Sequence, residues 1–576
     1  MTRIPVALAP REPVERADVE FGERTRRPPG SGLRVALVGF QDQDNLGLRY
    51  LQSAASHYGH DCTITSFGSE PDALVSALLA IRPDVVGLSL IFQYMAPTFA
   101  EVVQTLRSGG FTGHVTIGGH YPSFDPEEVL RRMPGLDSVV RFEGEATFIE
   151  LLHRLENQQS WHDLAGLARR DERGDPVTNE LRASIEDLDV LPFPDRRDVS
   201  YESQELPTAS MLASRGCPWN CSFCSIRPFY EAPGGALRRL RDPLAVVREM
   251  EHLHLDRGVV AFLFQDDDFM AIGRRGKSWA VSLADAIFAG PMRGRISMKI
   301  SCRSDEVDED TFRILRDRGG LTHVYLGVES GDPITLEHLR KQLRPESHLK
   351  AADVFRKLGL SFDFGYMVLE PYSTFDAVRS GVEFLDRFVG DGWTVATFCR
   401  TLPYAGTPLK LQLEREGRLL GTAFDPDYEF LDTRLDVFYD WMLYTFRRRN
   451  FTDVGLCHML RALQFELHLR VDGRRLATDM ERATGRYLVS IANRIATSTL
   501  LAALAHCESS TFGELRTDPS YLLALASQEH AEEVRLEADV IAFYERFRAS
   551  VGLDTGALVR NELPGGFERT WTLDHS

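Results

Sequence analysis

Three cysteines stand close together in the segment RGCPWNCSFCSI, residues 215–226. Cys217 is separated by three residues from Cys221, which is separated by two residues from Cys224. Thiolates at such spacing bind soft metal ions and iron–sulfur clusters. A zinc knuckle usually provides four tetrahedral ligands, whereas this segment provides three. The spacing therefore favours a [4Fe–4S] cluster, in which the iron without a protein ligand is available for chemistry.

The rest of the composition is that of an acidic protein with reduced cysteines. The other cysteines are scattered singly through a chain of 576 residues, so a disulfide scaffold is not expected. The 66 basic and 84 acidic residues give a net charge of −18, which argues against a nucleic-acid-binding protein. No apolar run approaches the roughly 18 residues that a membrane span requires. We therefore expect a cytoplasmic protein whose partners include neither nucleic acid nor a membrane.

Alternating apolar and amphipathic stretches divide the chain into segments. Residues 33–157 contain five apolar runs and five helical stretches, which predict an α/β fold with a doubly wound, flavodoxin-like sheet. Residues 206–410 contain six strand–helix repeats, fewer than the eight of a closed barrel, and predict a partial (β/α)6 barrel. The polar segment 158–205, with its prolines, is interpreted as a linker. Residues 411–576 predict a helical C-terminal domain, and residues 1–32 a disordered tail.

The cysteine segment follows the first strand-like run of the second α/β series. CPWNCSFC at that place resembles the signature loop of the radical S-adenosylmethionine (SAM) superfamily. The resemblance implies that the three cysteines hold a [4Fe–4S] cluster, that SAM chelates the fourth iron, and that an electron from the cluster produces a 5′-deoxyadenosyl radical. It also places Phe223 near the adenine of SAM. An external electron donor of flavodoxin or ferredoxin type would then be a partner.

Polar residues at three later strand ends fit the SAM-binding edges of that family. Asp267 and Asp268, in FQDDDF, are candidates for the SAM amino group, although an exposed acidic turn is the alternative interpretation. Ser301 and Arg303, in SCRSD, are candidates for the carboxylate, which a strand-end arginine can pair. Glu329, in LGVESG, is a candidate for the ribose hydroxyls.

The first α/β series resembles the cobalamin-binding domain of cobalamin-dependent radical SAM enzymes. The loop DQDNLG lacks the glycine-rich turn of a dinucleotide site and matches Asp-x-His-x-x-Gly with one substitution. Later loops carry a serine and a Gly-Gly pair, where small residues admit a bulky ligand. The matching positions are Asp42, Asp44, Gly47, Ser89, Gly118 and Gly119.

Asp44 stands where relatives with a cobalt-ligating histidine have that residue. A carboxylate is a harder ligand than imidazole and suits cobalt less well. We therefore expect base-off cobalamin without histidine ligation. His120, on the neighbouring Gly-Gly loop, is the other candidate ligand, and we expect it instead to contact the corrin edge or the nucleotide tail.

The resemblance covers residues 33–410 and implies a cobalamin-dependent radical SAM enzyme. Most such enzymes are methyltransferases, so the expected reaction is methylation of an unactivated carbon in a natural-product intermediate, through methylcobalamin and the 5′-deoxyadenosyl radical. The substrate would be a small molecule, free or tethered to a carrier. Rearrangement, cyclisation or ring contraction without net methylation is the alternative. A cobalamin sensor or carrier is a third interpretation, but it would not need the three cysteines.

Overall fold

The structure is a computed structural model that describes residues 30, 32–41, 44–68, 70–197, 199, 206–270, 273–452, 454–471 and 474–553. Of the predicted tail, residues 1–32, only residues 30 and 32 are described, and Asp42 lies outside the described residues. Two main parallel sheets organise the described part of the chain, each built from a strand–helix series.

The first sheet has seven strands in the order β2-β1-β3-β4-β5-β6-β7. Pairing is parallel from β2 through β5, and β6 and β7 pair antiparallel at the edge. The strands are β1 (Arg34–Gly39), β2 (Asp61–Ser66), β3 (Val85–Ser89), β4 (His114–Gly118), β5 (Ser138–Val140), β6 (Leu167–Arg170) and β7 (Pro176–Thr178). The helices are α1 (Leu46–His57), α2 (Pro71–Ile81), α3 (Ala96–Ser108), α4 (His120–Phe124), α5 (Pro126–Arg132) and α6 (Glu145–Glu156).

The segment interpreted as a linker differs in part from that expectation. Its residues 167–170 and 176–178 form the antiparallel hairpin β6–β7, which extends the first sheet. Leu167 and Ala168 are buried against the sheet, but the rest of the hairpin is polar. Edge strands are short and are often polar, so the two apolar residues here are too few to predict a strand from the sequence.

The second sheet has six parallel strands in the order β8-β11-β12-β13-β14-β15. This confirms the predicted partial barrel, and the short antiparallel pair β9–β10 lies beside it. The strands are β8 (Thr208–Met211), β9 (Ser214–Arg215), β10 (Arg239–Leu240), β11 (Ala261–Phe264), β12 (Ser297–Arg303), β13 (Leu321–Glu329), β14 (Ser361–Leu369) and β15 (Cys399–Arg400). The helices are α7 (Ile226–Glu231), α8 (Pro243–Arg257), α9 (Gly273–Ala289), α10 (Glu309–Gly319), α11 (Pro333–His338), α12 (Pro345–Leu358) and α13 (Phe375–Val389).

The C-terminal part is helical, as predicted, with two short hairpins. Its elements are α14 (Pro408–Arg415), β16 (Leu419–Gly421), β17 (Pro426–Tyr428), α15 (Thr433–Phe451), α16 (Leu456–His468), β18 (Arg470–Val471), β19 (Arg474–Arg475), α17 (Asp479–Ser509), α18 (Phe512–Thr517) and α19 (Ser520–Val551). Short 3-10 helices lie at Gln93–Met95, Leu188–Val190 and Ser304–Glu306. Trp441 of α15 and Leu500 of α17 belong to the same hydrophobic core as the barrel strands.

Helix α17 is the one helix in the described ranges that is long and apolar enough to cross a membrane by length and composition. In its most apolar 18-residue window, 56% is buried inside the protein. It packs against α13, α16 and α19, as a core helix does.

Candidate functional site

The cysteine segment forms a loop between β9 and α7, and hydrogen bonds hold its backbone at the start and in the middle. Gly216 has φ +89°, and a Cβ there would lie 2.1 Å from the carbonyl oxygen of Leu237, so only glycine fits. Its N–H donates to the Asp267 carboxylate at 2.9 Å. At the middle of the loop, the Ser222 N–H donates to the Leu339 carbonyl at 2.9 Å. The loop conformation is therefore set by the barrel rather than by the thiols.

The thiols of this loop lie in a shielded environment. Cys221 is buried, and Cys217 and Cys224 are half-buried. Burial raises the pKa of the Cys217 and Cys224 thiols to about 12, so binding of metal must displace their protons. No three His, Cys, Asp or Glu side chains in the described ranges converge on one metal ion. In an iron–sulfur cube each thiolate binds a different iron, so the three thiols need not converge on one metal ion.

The acidic run after β11 has three different environments. Asp266 is buried and accepts hydrogen bonds from the Ala213 N–H and the Ser214 hydroxyl, so it fastens the start of β9 to the loop after β11. Asp267 is exposed to a cavity beside the loop, and burial by the surrounding protein raises its pKa to about 6. Asp268 is buried, and one of its oxygens lies 3.2 Å from a guanidinium nitrogen of Arg238.

Asp268 also faces a second buried carboxyl group, that of Glu306. Burial and the nearby Asp268 charge raise the pKa of Glu306 to about 8, so that one proton is shared in this corner. Of the predicted acidic pair, Asp267 opens towards solvent in the cavity, whereas Asp268 is committed to these two neighbours.

Arg303, at the end of β12, reaches the cysteine loop. Its guanidinium carbon lies 3.7 Å from the ring centroid of Trp219, which stands between Cys217 and Cys221. It also donates to the Lys341 carbonyl at 2.9 Å and pairs with Asp305 at 3.1 Å. One terminal nitrogen is buried with no hydrogen-bond partner in the described structure. That nitrogen is the group free to pair with a carboxylate, as predicted for SAM.

Glu329 lies on the same edge, at the end of β13, with φ +67° at an irregularity in the pairing of β13 with β14. Its carboxylate accepts from the Lys341 ammonium at 3.0 Å, and both side chains are largely buried. Lys341 in turn lies near Cys221 and lowers the pKa of that thiol against the effect of burial. Phe223 is half-buried in the loop between Cys221 and Cys224. The predicted residues Ser301, Arg303 and Glu329 thus lie on adjacent strands around the loop.

The predicted cobalamin residues lie at the carboxyl ends of the first sheet. Five of them, Gly47, Ser89, Gly118, Gly119 and His120, border a cavity of about 260 Å³ that extends to the barrel, whereas Asp44 is not among the residues that line it. Ser89 pairs with Gly118 across β3 and β4, and Gly47, Gly119 and His120 line the same cavity. Its inner wall is apolar and contains Leu37, Leu88, Ile117 and Phe148.

His120 stacks on Phe229 of α7, with ring centroids 4.3 Å apart. Burial lowers its pKa to about 4, so the imidazole is neutral near pH 7. Its Nε2 is buried without a hydrogen-bond partner among the described residues. The Gly-Gly loop therefore touches the helix that follows the cysteine loop.

Asp44, which aligns with the cobalt-ligand position of related proteins, forms ion pairs that the sequence did not predict. Its carboxylate forms ion pairs with Arg49, on α1, and with Arg196, whose Nε lies 3.2 Å away. Arg196 comes from the segment interpreted as a linker and also pairs with Glu249 of α8 at 3.1 Å. The carboxylate is therefore already compensated by two cations, which further disfavours it as a cobalt ligand.

A buried ion-pair network joins the two α/β units beside the cavity. Glu143 accepts from Arg215 of β9 at 3.1 Å and from Arg239 of β10 at 2.8 Å. Glu145 pairs with the same Arg215. Arg215 is two residues before Cys217, so this network positions the cysteine loop against the first sheet.

Comparisons with known proteins agree with the two-site arrangement. Residues 34–152 match the family model of the B12 binding domain, and residues 211–379 match that of the radical SAM superfamily. The chain belongs to the cobalamin-dependent radical SAM enzyme family. Its cofactors are cobalamin, SAM and a [4Fe–4S] cluster.

Relatives of this radical SAM enzyme are named for different reactions. An uncharacterized methyltransferase of Pyrococcus horikoshii is 29% identical over 66% of this chain and 81% of its own length. The hopanoid C-3 methylase of Methylococcus capsulatus is 27% identical over 68% of this chain and 73% of its own. The anaerobic magnesium-protoporphyrin IX monomethyl ester cyclase of Synechocystis is 29% identical over 54% of this chain and 62% of its own.

The fold is shared with the cobalamin-dependent SAM radical enzyme OxsB, whose structure has aqua-cobalamin and SAM bound. The TM-score is 0.68 at 16% identity, and the match covers 91% of this chain and 84% of that one. At this identity the likeness concerns the fold alone.

The residues of this family member fit its three cofactors. The cavity at the first sheet is bordered by Gly47, Gly87, Gly118, Gly119 and Gly144, so backbone rather than side chain faces much of the space. At the barrel, the unpartnered nitrogen of Arg303 and the cavity-facing Asp267 suit the carboxylate and amino group of SAM. The assignment of individual residues to cofactors stays a prediction.

Sequence reasoning missed several residues that shape the site. Trp219 and Lys341 lie between the cysteine loop and the strand ends, while Arg196, Arg215 and Glu143 hold the units together. No motif or pattern in the neighbouring sequence marks these residues, and each contacts a partner that is distant along the chain. Only Trp219, inside the cysteine motif itself, could have been singled out from its position.

Proposed function

We propose that this enzyme methylates an unactivated carbon of a natural-product intermediate, with the methyl group supplied by SAM through cobalamin. The observation that carries the proposal is the shared cavity. Residues from the cobalamin-binding edge, such as Ser89 and Gly118, and residues from the barrel edge, such as Asp267, line one continuous space. A substrate there would meet both cofactors without leaving the protein.

The relatives support methylation over other outcomes. The first two matches are called a methyltransferase and a methylase, and each aligns over about two thirds of this chain. The cyclase match covers a smaller share, 54%. It supports the alternative of a radical cyclisation or rearrangement without net methylation.

The bound cofactors supply a carbon-centred radical and a transferable methyl group. The chain's own residues position these groups and exclude water. Arg303 and Asp267 would hold the amino-acid end of SAM, and Glu329 its ribose. The buried Glu143–Arg215 contact would keep the cysteine loop at a fixed distance from the first sheet. An external electron donor of flavodoxin or ferredoxin type would reduce the cluster.

The test uses SAM that carries a deuterated methyl group. Reconstituted enzyme, reductant and candidate intermediates are incubated, and the products are analysed by mass spectrometry. Incorporation of one intact labelled methyl group, together with formation of 5′-deoxyadenosine, is expected. A product that lacks the label while 5′-deoxyadenosine still forms would overturn methylation and establish the rearrangement alternative.

A further inference from the structure

The concave face of the second sheet carries polar side chains well below the SAM-binding edge. Strand register groups them in rows: Lys299, His323 and Ser361 are neighbours on β12, β13 and β14. The next row towards the edge contains Ser301, Tyr325 and Asp363. Successive inward side chains on a strand are two residues, or roughly 7 Å, apart. The lower row therefore lies roughly 14 Å below Arg303, at the bottom of the half-barrel.

A closed group of contacts forms the floor of this space. His323 Nε2 lies 3.0 Å from an Asp363 oxygen, and its Nδ1 lies 2.7 Å from the Ser361 hydroxyl. The ring of Phe465, from α16, meets the His323 ring at a centroid distance of 5.6 Å. The Asp363 carboxylate thus contacts two groups of the protein, the His323 ring and the Nε of Arg461 on α16, which lies 3.8 Å from its other oxygen. Helix α16 closes the barrel at this end.

Three side chains at the floor or in the row above it each have a donor group without an acceptor, although Arg461 also donates to the Thr397 hydroxyl through a terminal nitrogen. Lys299 is half-buried and forms neither an ion pair nor a hydrogen bond within the described ranges. The Nε of Arg461 is buried and has no hydrogen-bond partner there either. The Tyr325 side chain is 38% exposed to this space, and its hydroxyl likewise finds no partner among the described residues.

The charges of this region do not balance. Lys299 and Arg461 are two cations on the concave face, and Asp363 is the carboxylate between them, since Glu329 and Asp267 belong to the upper edge and are already engaged there. Lys299 is close enough to lower the pKa of both Asp363 and His323. Lys299 is therefore a half-buried cation without a counter-ion among the described residues, which is costly, and an anion would offset that cost.

We propose that the substrate carries an anionic group, a carboxylate or a phosphate, which Lys299, Arg461 and Tyr325 bind inside the half-barrel. This proposal depends on the proposed function in one respect: the anionic group is part of the substrate that reacts. Gly327 and Gly365, in the row above, carry no side chain of their own, and the side chains of Lys341, Glu329 and Tyr325 lie over them, between the cavity edge and these donors. The site distinguishes this enzyme from one that acts on a neutral hydrocarbon.

The experiment measures binding of two anions that represent the group itself, inorganic phosphate and acetate. Holoenzyme with cluster and cobalamin is titrated with each, and binding is followed by phosphorus-31 or carbon-13 NMR line broadening. The reduced, paramagnetic cluster broadens a probe inside the barrel more than the oxidised cluster does, so surface binding is recognised. Neither measurement requires turnover, and failure of methyl transfer would therefore leave its result intact.

Lys299→Met and Arg461→Met should each weaken binding at least tenfold, and Tyr325→Phe about threefold, whereas Lys299→Arg should retain it. Lys350→Met, at an exposed position of α12, is the matched control and should bind as the wild type does. Preference for phosphate identifies a phosphorylated substrate, and preference for acetate a carboxylic acid. Absence of redox-dependent broadening by both probes in the wild type, or equal binding in Lys299→Met and Arg461→Met, would overturn the proposal. Cluster content and SAM binding verify that each variant is folded. If a Met variant does not fold, Tyr325→Phe, which should weaken anion binding, and Lys299→Arg, which should retain it, test the proposal in its place.

Discussion

The two parallel sheets of this protein come from similar strand–helix series but differ in where they place polar side chains. In the first sheet, β1 is buried from Val35 to Gly39 and β3 from Val85 to Leu88, because helices cover both faces. In the second, β12, β13 and β14 alternate between buried and partly exposed positions. The first sheet therefore offers a ligand its edge alone, whereas the second offers an edge and a concave face.

This difference shows how one folding pattern serves two cofactors. A flat sheet with two apolar faces presents glycine-rich loops, such as Gly118–Gly119, that suit a bulky group at the strand ends. A curved half-barrel leaves one face without helices, so polar residues there can line a path for small molecules.

Loss of the three loop cysteines should remove the cluster altogether. The triple change to Ala of Cys217, Cys221 and Cys224 leaves no thiolate on the loop, so the visible absorption of the cluster and its reduced-state EPR signal should disappear. Cys62→Ala, in the first sheet, and Cys399→Ala, on β15, are the controls and should retain full cluster content. An unchanged cluster content in the triple variant would show that the iron–sulfur cluster is bound elsewhere than at this edge of the second sheet.

Arg303→Ala should weaken SAM binding by about ten- to 150-fold. Loss of a charge-assisted hydrogen bond costs about 1.5–3 kcal/mol, and each 1.4 kcal/mol is roughly tenfold in affinity. Calorimetric titration of the cluster-loaded protein measures this, with Arg313→Ala on the exposed side of α10 as the matched control. Asp267→Ala tests the acidic run in the same way. If Arg303→Ala and Asp267→Ala both bind SAM normally, the SAM-binding edge is assigned wrongly, although the cluster assignment would stand.

Glu306→Gln should remove a pH dependence of stability. The pKa of Glu306 is raised from 4.5 to about 8 by burial, by Asp268 and by Asp305, against a backbone N–H from Arg303 that lowers it. Its protonated form is favoured on folding, so its contribution is fully present below pH 4.5 and is lost as the pH rises to about 8.

The amide of Gln cannot ionise and keeps that contribution. Urea unfolding at several pH values should therefore show Glu306→Gln gaining stability relative to the wild type between pH 4.5 and 8, with no further gain above pH 8. A difference that does not change with pH would contradict the shared-proton interpretation of Asp268 and Glu306.

His120→Ala should leave the cobalt signal unchanged, which is the smallest effect. Cobalamin is expected base-off with no histidine below the cobalt, because Asp44 stands at the ligand position and is paired with Arg49 and Arg196. A nitrogen ligand would split the EPR signal of the Co(II) form through its nuclear spin. No such splitting is expected in wild type or variant. Splitting that is present in the wild type and absent in His120→Ala would identify His120 as the axial ligand.

Local patterns in the amino-acid sequence were enough to predict the family, both sheets and the three cofactors. Close spacing of Cys217, Cys221 and Cys224 is a local property, and a strand–helix alternation is readable wherever apolar runs are separated by turns. The loops with Ser89 and Gly118 were found for the same reason, since each follows its own strand directly. The hairpin β6–β7 was missed because a polar edge strand has little hydrophobic pattern.

The tertiary structure alone decided which charges meet. Asp44 and Arg196 are 152 residues apart, Glu143 and Arg239 are 96 residues apart, and no local pattern relates either pair. The three adjacent aspartates were equivalent in sequence, yet one fastens strands, one faces the cavity and one shares a corner with Glu306. Lys299, Tyr325 and Arg461 come from two strands and a C-terminal helix. Their proximity depends on strand register and on the packing of α16, which are long-range properties of the folded chain.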